Sequence, residues 1–351
     1  MKIVHLTWGL AVGGAETMLV DIANEQAAAH EIWVIVGNQG VDPAITAGLR
    51  QSVRLRGLGR PPGSTNPWYL MKLVAWLRRI NADVVHAHQE SFGRLKRLIP
   101  APMLLTVHNT RLPLSDKIYS FDSVCCISEA VREDVITRFP QCRPRVIHNG
   151  IDFRAVRVKA RYGGKPFRII QVSRLAHQQK GQDLLIRSLR TLVDGLGADA
   201  VAVDFVGEGE SLEYLERLVA ECGVAQQCRF LGLKSRPWIY DELHFYDVLV
   251  QPSRYEGFGL TVVEGIAAGL PVLVSDIEGP REIIAGGQLG WSFRSEDVED
   301  LSRKLLDIIA LSGLSDFAAT MRSRIEQARS RFDVRLTAQR YLEEYARLSA
   351  A

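Results

Sequence analysis

The chain has 351 residues, 47% of them hydrophobic and 24% charged, with a formal net charge of +3. That apolar content excludes an intrinsically disordered chain, and the length predicts about two domains at roughly 150 residues each. Five cysteines, two of them adjacent at Cys125 and Cys126, form no disulfide or zinc pattern and fit a reducing compartment. The opening from Met1 to Gly9 is too short and too interrupted for a signal peptide. No apolar run reaches the roughly 20 residues needed to span a bilayer. A cytoplasmic protein is expected.

The charge is unevenly spread: residues 1–175 hold 24 Lys and Arg against 13 Asp and Glu, a balance of +11, and the remainder carries −8. Nucleic acid would want basic clusters interleaved with aromatics, and there are none. The expected partner of the basic half is an anionic substrate or a membrane surface, which would make the protein peripheral on the inner face of the membrane. Scattered solvated arginines are the plain alternative.

Lys2–Thr7 reads as a short apolar strand running into the loop Gly9-Leu10-Ala11-Val12-Gly13-Gly14. Residues 15–29 then show helical spacing, with Met18, Leu19, Ile22 and Ala23 on one face. Strands are predicted at 32–36, 83–87 and 103–107, with helices between them, for example at 68–80. Strands alternating with helices imply crossover units and a parallel sheet covered on both faces. The pattern restarts after Gly163-Gly164-Lys165-Pro166, with strands at 167–172, 200–206, 229–231, 247–251 and 271–275 and helices at 181–196 and 211–222. A last helix at 334–348 is expected to pack back on the first domain. The predicted division is residues 1–152, 153–330 and a C-terminal helical segment, 331–351.

Three segments carry chemistry. In Gly13-Gly14-Ala15-Glu16, glycines between a strand and a helix let backbone N–H groups approach a phosphate. Such a turn is also the default connection, and the G-x-G-x-x-G dinucleotide spacing is absent. Arg174 and Lys180, in Ser173-Arg174-Leu175 and Lys180-Gly181, lie just past the first strand of the second domain, where open α/β sheets bind ligands. Two cations there suit a diphosphate; a surface charge pair is the alternative. The third segment runs from Pro252 to Glu264. Its Glu256 and Glu264 flank a Gly257-Phe258-Gly259 turn that opens an apolar helix. Glu256 is placed in a loop and Glu264 two turns into the helix, so that both could face one cleft. Amides at Gly259, Leu260 and Thr261 could hold a phosphate. Capping or solvation of either glutamate is the competing reading.

His86-x-His88 ends a strand at period two, so the rings share a face. That is half a zinc site with no Cys or carboxylate to complete it, and hydrogen bonding on the acceptor side is the reading adopted. No Asp-x-Asp occurs, so a diphosphate-clamping metal has no ligands and none is expected.

Glu256-x7-Glu264 with Gly257-Phe258-Gly259, followed by Ala268-Gly269-Leu270-Pro271-Val272, resembles the donor-site signature of the retaining GT-B glycosyltransferases of family 4. The likeness extends over nearly the whole chain, through Gly13-Gly14-Ala15-Glu16, Asn149-Gly150-Ile151-Asp152, Ser173-Arg174-Leu175, Lys180-Gly181 and Gly207-Glu208-Gly209. It implies an α/β protein of two doubly wound Rossmann-like domains facing each other across a cleft. The second domain would bind a nucleotide diphosphate sugar, UDP by family frequency, as a substrate, with no cofactor and no metal. The acceptor, a glycan or lipid-linked glycan of polysaccharide or lipopolysaccharide synthesis, would lie against the first.

Carried over residue by residue, Arg174 and Lys180 bind the diphosphate, helped by backbone at Gly13, Gly14, Gly259, Leu260 and Thr261. Glu264 takes the ribose hydroxyls and Glu256 the transferred sugar. His108 matches a family histidine close to that sugar, and His88, Ser128 and Asn149 stand in acceptor-side or supporting positions. At Ser128, the start of a helix, capping is an equal alternative. The chain departs from the family pattern at Ser173, Gly265 and Glu278. Competing functions are a nucleotide-sugar epimerase or glycan phosphorylase on the same fold, or a non-catalytic binding homologue.

Overall fold

The computed structural model describes residues 1–11 and 13–350; Val12 of the first glycine loop and Ala351 of the C-terminal segment lie outside the described residues. The chain divides into two compact units, Met1–Ile151 with Phe332–Ala351, and Asp152–Arg331. The divisions at 151/152 and 331/332 stand one residue from the expected ones. Among the described residues no helix is long and apolar enough to cross a membrane.

The first unit is built on seven strands: β1 (Lys2–Thr7), β2 (Glu31–Asn38), β3 (Arg54–Arg60), β4 (Val84–Ala87), β5 (Met103–Val107), β6 (Ser123–Cys126) and β7 (Arg145–Val146). They lie in the order β3-β2-β1-β4-β5-β6-β7, every pair parallel. The central strands are apolar on both faces, as a doubly covered sheet requires: Ile3, Val4, Leu6, Val84, Val85, Leu104 and Leu105 are all buried. The helix Gly14–Gln26 buries Met18, Leu19, Ile22 and Ala23, and each large side chain among them contributes about 1.5–3 kcal/mol. The helix Pro67–Ile80 opens on proline after Asn66, whose side chain accepts from Trp68 N at 2.9 Å, and stops at left-handed Asn81. The C-terminal helix Val334–Ser349 belongs to this unit. It is capped by Asp333, joined to Ile151 by two backbone hydrogen bonds of 2.9 Å, and buries Tyr341, Tyr345 and Leu348.

Strand β3 escapes the period-two pattern because its sequence, Arg-Leu-Arg-Gly-Leu-Gly-Arg, is charged and glycine-rich. It is an edge strand, where charge blocks pairing with another chain. Arg54 and Arg56 stack on Trp33 at 5.0 and 4.9 Å, and Arg60 on Trp8 at 4.8 Å. The charge asymmetry is correspondingly smaller than the halves imply. Counted by unit, the first holds 20 basic and 15 acidic residues, a balance of +5, and the second is at −2, because the seven cations between residues 152 and 175 belong to the second.

The second unit has six parallel strands, β8 (Phe167–Val172), β9 (Val201–Val206), β10 (Cys228–Phe230), β11 (Val248–Gln251), β12 (Val272–Ser275) and β13 (Trp291–Phe293), in the order β10-β9-β8-β11-β12-β13. Ile169, Val203, Phe205, Val248 and Val250 meet Leu185, Leu189, Leu301 and Leu305 in its core. Both units are doubly wound parallel α/β folds, and each has one point where strand order reverses: between β1 and β4, and between β8 and β11. Such reversals open a crevice at the carboxyl ends of the strands.

Candidate active site

In the second unit, three loops converge over the reversal between β8 and β11. Gly207 has φ +135°, and a Cβ there would stand 2.0 Å from the Ser173 carbonyl oxygen; a Cβ on Gly209 would stand 2.3 Å from that of Leu175. The Gly-x-Gly turn therefore serves the close approach of two backbones, sealed by Leu175 N donating to Glu208 O at 2.9 Å. Gly181 does the same on the other side. Its φ is +66°, with a Cβ site 1.9 Å from Pro252 O, and Arg254 N donates to Gln179 O at 2.8 Å.

This packing lays Lys180 beside the 252–259 loop. Its ammonium donates to Glu256 Oε2, and each of the two side chains is only 15% exposed. Gln251 Nε2 lies 3.4 Å from the same oxygen, and Thr261 Oγ1 donates to Gln251 Oε1 at 3.2 Å. Arg174 is exposed, and its guanidinium donates to Gln179 Oε1 at 3.1 Å. The pair of like cations expected from the sequence is thus an exposed arginine and a lysine already neutralised by Glu256. Glu264 is the fifth residue of the helix Leu260–Ala267, just over one turn in rather than two. Its buried carboxylate lies 3.9 Å from Arg236 Nε. Gly259, at φ +107°, precedes that helix without a side-chain cap. Val262 N turns back to Gly259 O, and the first amides, at Leu260 and Thr261, have no partner within the helix.

Sequence reasoning missed the groups that hold this loop cluster. Arg254 grips Asp183 through both carboxylate oxygens, at 2.9 and 3.0 Å, and donates to His177 O at 2.7 Å. Gln182 Nε2 donates to Arg174 O and Gln171 Nε2 to Lys180 O, both at 2.8 Å. Residues 71 positions apart leave no local signal, and isolated glutamines carry none.

In the first unit, the reversal between β1 and β4 is lined by histidines. His5 pairs in register with His86, and period two places His88 and, from β5, Thr106 and His108 along the same face. Gln26 and the C-terminal helix cover it. His5 Nε2 meets Gln26 Oε1 at 2.8 Å, His5 Nδ1 meets His88 Nε2 at 3.3 Å, and His88 Nδ1 meets His108 Nε2 at 2.9 Å. His86 is held by Tyr345 OH at 2.6 Å and Thr106 Oγ1 at 2.7 Å. Burial lowers His5 and His108 to about 4 and pushes His86 and His88 well below the usual imidazole range, aided by the neighbouring rings. All four are neutral at neutral pH.

The half site at His86 and His88 therefore gains a third imidazole, from His5, the three ligand atoms lying within 4.8 Å of one another. The set fits a metal poorly. The rings of His86 and His88 are stacked, 4.3 Å apart at 26°, and both nitrogens of His86 and of His5 already face hydrogen-bond partners. His108 Nδ1 and Asn149 Oδ1 are buried with no hydrogen-bond partner among the described residues. Ser128 caps the helix Glu129–Arg138, its hydroxyl accepting from Val131 N at 3.1 Å. Gly13 caps the helix Gly14–Gln26 in extended conformation. A carboxylate oxygen of Glu16 lies 2.6 Å from its Cβ site, and burial raises the pKa of that carboxyl. An apolar cavity of about 180 Å³, unmarked in the sequence, is lined by Trp8, Leu58, Arg60, Tyr69, Leu70 and Phe92.

Residues 152–331 match the family model of glycosyl transferases group 1, and residues 12–154 that of glycosyltransferase family 4. An uncharacterised glycosyltransferase of Methanocaldococcus jannaschii is 30% identical, covering 81% of this chain and 83% of its own. Glycogen synthase of Mycobacterium tuberculosis is 29% identical, over 94% and 90%. Among solved structures, Anabaena HepE in complex with UDP superposes with a TM-score of 0.80 at 21% identity, covering 99% of this chain and 100% of that one. The likeness in fold is to GT-B structures, and the two family models together make the chain a glycosyltransferase. The chain belongs to the family of glycosyl transferases group 1.

Proposed function

We propose that this glycosyltransferase moves a sugar from a nucleotide diphosphate sugar to a glycan or lipid-linked acceptor, with UDP as the nucleotide, the anomeric configuration kept and no metal required. The observation that carries this reading is the Lys180–Glu256 pair at the carboxyl ends of β8 and β11, beside the uncapped helix at Gly259. An incoming diphosphate competes with Glu256 for the Lys180 ammonium, and exposed Arg174 and the amides of Leu260 and Thr261 add donors. These groups stabilise charge developing on the departing diphosphate without a metal ion. Glu256, released, accepts from hydroxyls of the transferred sugar, and Glu264 from those of the ribose. HepE, whose structure contains UDP, and the Salmonella typhimurium lipopolysaccharide 1,6-galactosyltransferase, 26% identical over about half of this chain, support the donor and acceptor classes.

The acceptor is assigned to the first unit, where Trp8, Tyr69, Phe92 and Arg60 line the cavity. We further assign a peripheral contact with anionic membranes to the same unit. Nucleotide release measured against UDP-, GDP- and ADP-sugars, with EDTA throughout, tests the donor and the metal. Release from UDP-sugars alone is expected, and activity that returns only with a divalent ion overturns the metal-free reading. Proton NMR of the product reads the anomer, and inversion overturns retention.

A further inference from the structure

The buried imidazoles of the first unit form a directed chain. Its direction starts at Gln26. The Gln26 side-chain oxygen faces His5 Nε2 at 2.8 Å, so His5 donates from Nε2. A neutral imidazole carries one proton, which leaves His5 Nδ1 as an acceptor. His88 must then donate from Nε2, across 3.3 Å, and its own Nδ1 becomes an acceptor. His108 donates from Nε2 to that atom at 2.9 Å, and its Nδ1 is left as a bare lone pair. Nδ1 of His108 is the one ring nitrogen in this row that is buried without a partner among the described residues.

The neighbouring branch agrees in sense. The Gln26 amide nitrogen donates to Tyr345 OH at 3.5 Å. Tyr345 can then donate to His86 Nδ1, and His86 from Nε2 to Thr106 Oγ1. The reverse direction would leave a buried N–H at His108 with nothing to accept it, a costlier defect than an unfilled lone pair.

We propose that Gln26, His5 and His88 are positioning residues that hold His108 in the tautomer with Nδ1 unprotonated. His108 then accepts a hydrogen bond from a hydroxyl of a sugar held at the first unit and has no N–H to donate to an anion. The sugar in this statement rests on the transfer reading above; the tautomer does not.

The test is two-bond proton–nitrogen correlation on ¹⁵N-histidine-labelled full chain without ligand. His5, His88 and His108 are expected to carry their protons on Nε2. A proton on His108 Nδ1 overturns the proposal. So does a zinc titration that shifts His5, His86 and His88 together at stoichiometric metal, because the ion would take the lone pairs that the chain uses. In Gln26→Met, close in size and without the acceptor, the His108 signal should report mixed tautomers. Turnover should fall about tenfold, the worth of one hydrogen bond, with nucleotide affinity within about twofold of wild type. His5→Asn, whose Oδ1 replaces the accepting Nδ1, should keep the tautomer, and His5→Leu should lose it. If both His5 variants keep it, His88 takes its orientation from elsewhere and the proposal fails. Absence of nucleotide release from the wild type with every sugar overturns the transfer reading alone, since the tautomer readout needs no substrate.

Discussion

The two units share a topology and use it for opposite electrostatics. At the reversal of the first, four imidazoles are held neutral by burial and linked through Gln26, Tyr345 and Thr106, with His108 Nδ1 left without a partner among the described residues. At the reversal of the second, charges persist because each has a partner: Lys180 with Glu256, and Arg254 with Asp183. The difference follows from where the partners come from. Imidazoles on three adjacent strands, sealed by helices, can shed charge at little cost because their ordinary pKa is near neutrality. Lysine and glutamate cannot, so they pair, and a pair can be opened by a ligand that offers a better anion. A neutral wall that orients and a charged mouth that exchanges partners are two uses of the same topological reversal, one in each unit.

That contrast breaks most visibly at Lys180. Lys180→Ala removes the donor and strands Glu256, and turnover should fall by about 10²–10³-fold. Arg174→Ala, at an exposed side chain, should weaken nucleotide binding by about tenfold to a hundredfold, the worth of one charge-assisted bond. His108→Ala should lose turnover and keep nucleotide affinity. Calorimetry with UDP beside steady-state rates separates the three, and equal affinity for wild type and Arg174→Ala would remove that arginine from the donor site.

The neutral wall has its own signature in acid. The unfolded chain protonates histidine near 6.5, while His5 and His108 resist until about 4. Between those values the unfolded state binds more protons, so stability is intact above pH 6.5 and drains as the pH falls towards 4, by on the order of 3 kcal/mol per histidine. Hydrogen exchange, corrected for intrinsic rates, should show protection of β1, β4 and β5 collapsing over that window while β8 and β11 hold. His5→Leu should flatten the first unit's pH slope. A parallel decline in both units would assign the acid sensitivity to something other than this cluster. A smaller effect is expected at the loop crossing of the second unit: Gly207→Ala forces φ +135° on a residue with a Cβ 2.0 Å from Ser173 O. It should cost about 1–3 kcal/mol and shift nucleotide affinity, and a neutral outcome in both thermal unfolding and binding would free that turn from its role.

The sequence was most legible where one residue type serves one geometry. Apolar runs marked β1, β5 and β8 to the residue, and Gly181, Gly207 and Gly209 marked loops that pack closely on another. It was silent where function depends on a partner far along the chain. His5 looked like a strand residue until β4 set His86 beside it, and Gln26 and Tyr345, 319 positions apart, carry no pattern that points to the same ring system. Strand β3 was hidden by the arginines that protect its edge, and the cations between residues 152 and 175, which belong to the second unit, inflated the charge of the first half. Glu256 and Lys180 were each visible; that they would be bonded to each other was not, because both were read as facing a ligand.

The weakest expected effect concerns the surface of the first unit. Its basic excess is +5, in a unit where Arg50 pairs with Glu25, Arg54 with Glu31 and Lys96 with Asp122. One stripe of the helix Pro67–Ile80 groups exposed apolar and basic side chains. Trp68 is 50% exposed and Met71 63%, and exposed Arg78 and Arg79 continue the same face at helical spacing. Lys72 lies over Trp68 at 4.7 Å. Tryptophan and methionine beside arginines suit the boundary between headgroups and acyl chains, where each exposed cation contributes about 1 kcal/mol. Co-sedimentation with phosphatidylserine vesicles should therefore be measurable at low salt and fall as salt rises. Arg78→Glu with Arg79→Glu should remove most of that salt dependence, while Trp68→Ala should weaken binding by a similar factor at every salt concentration. Vesicles that fail to sediment the wild type even at low salt would leave this helix face without a membrane role, and the acceptor would then have to reach the first unit from solution.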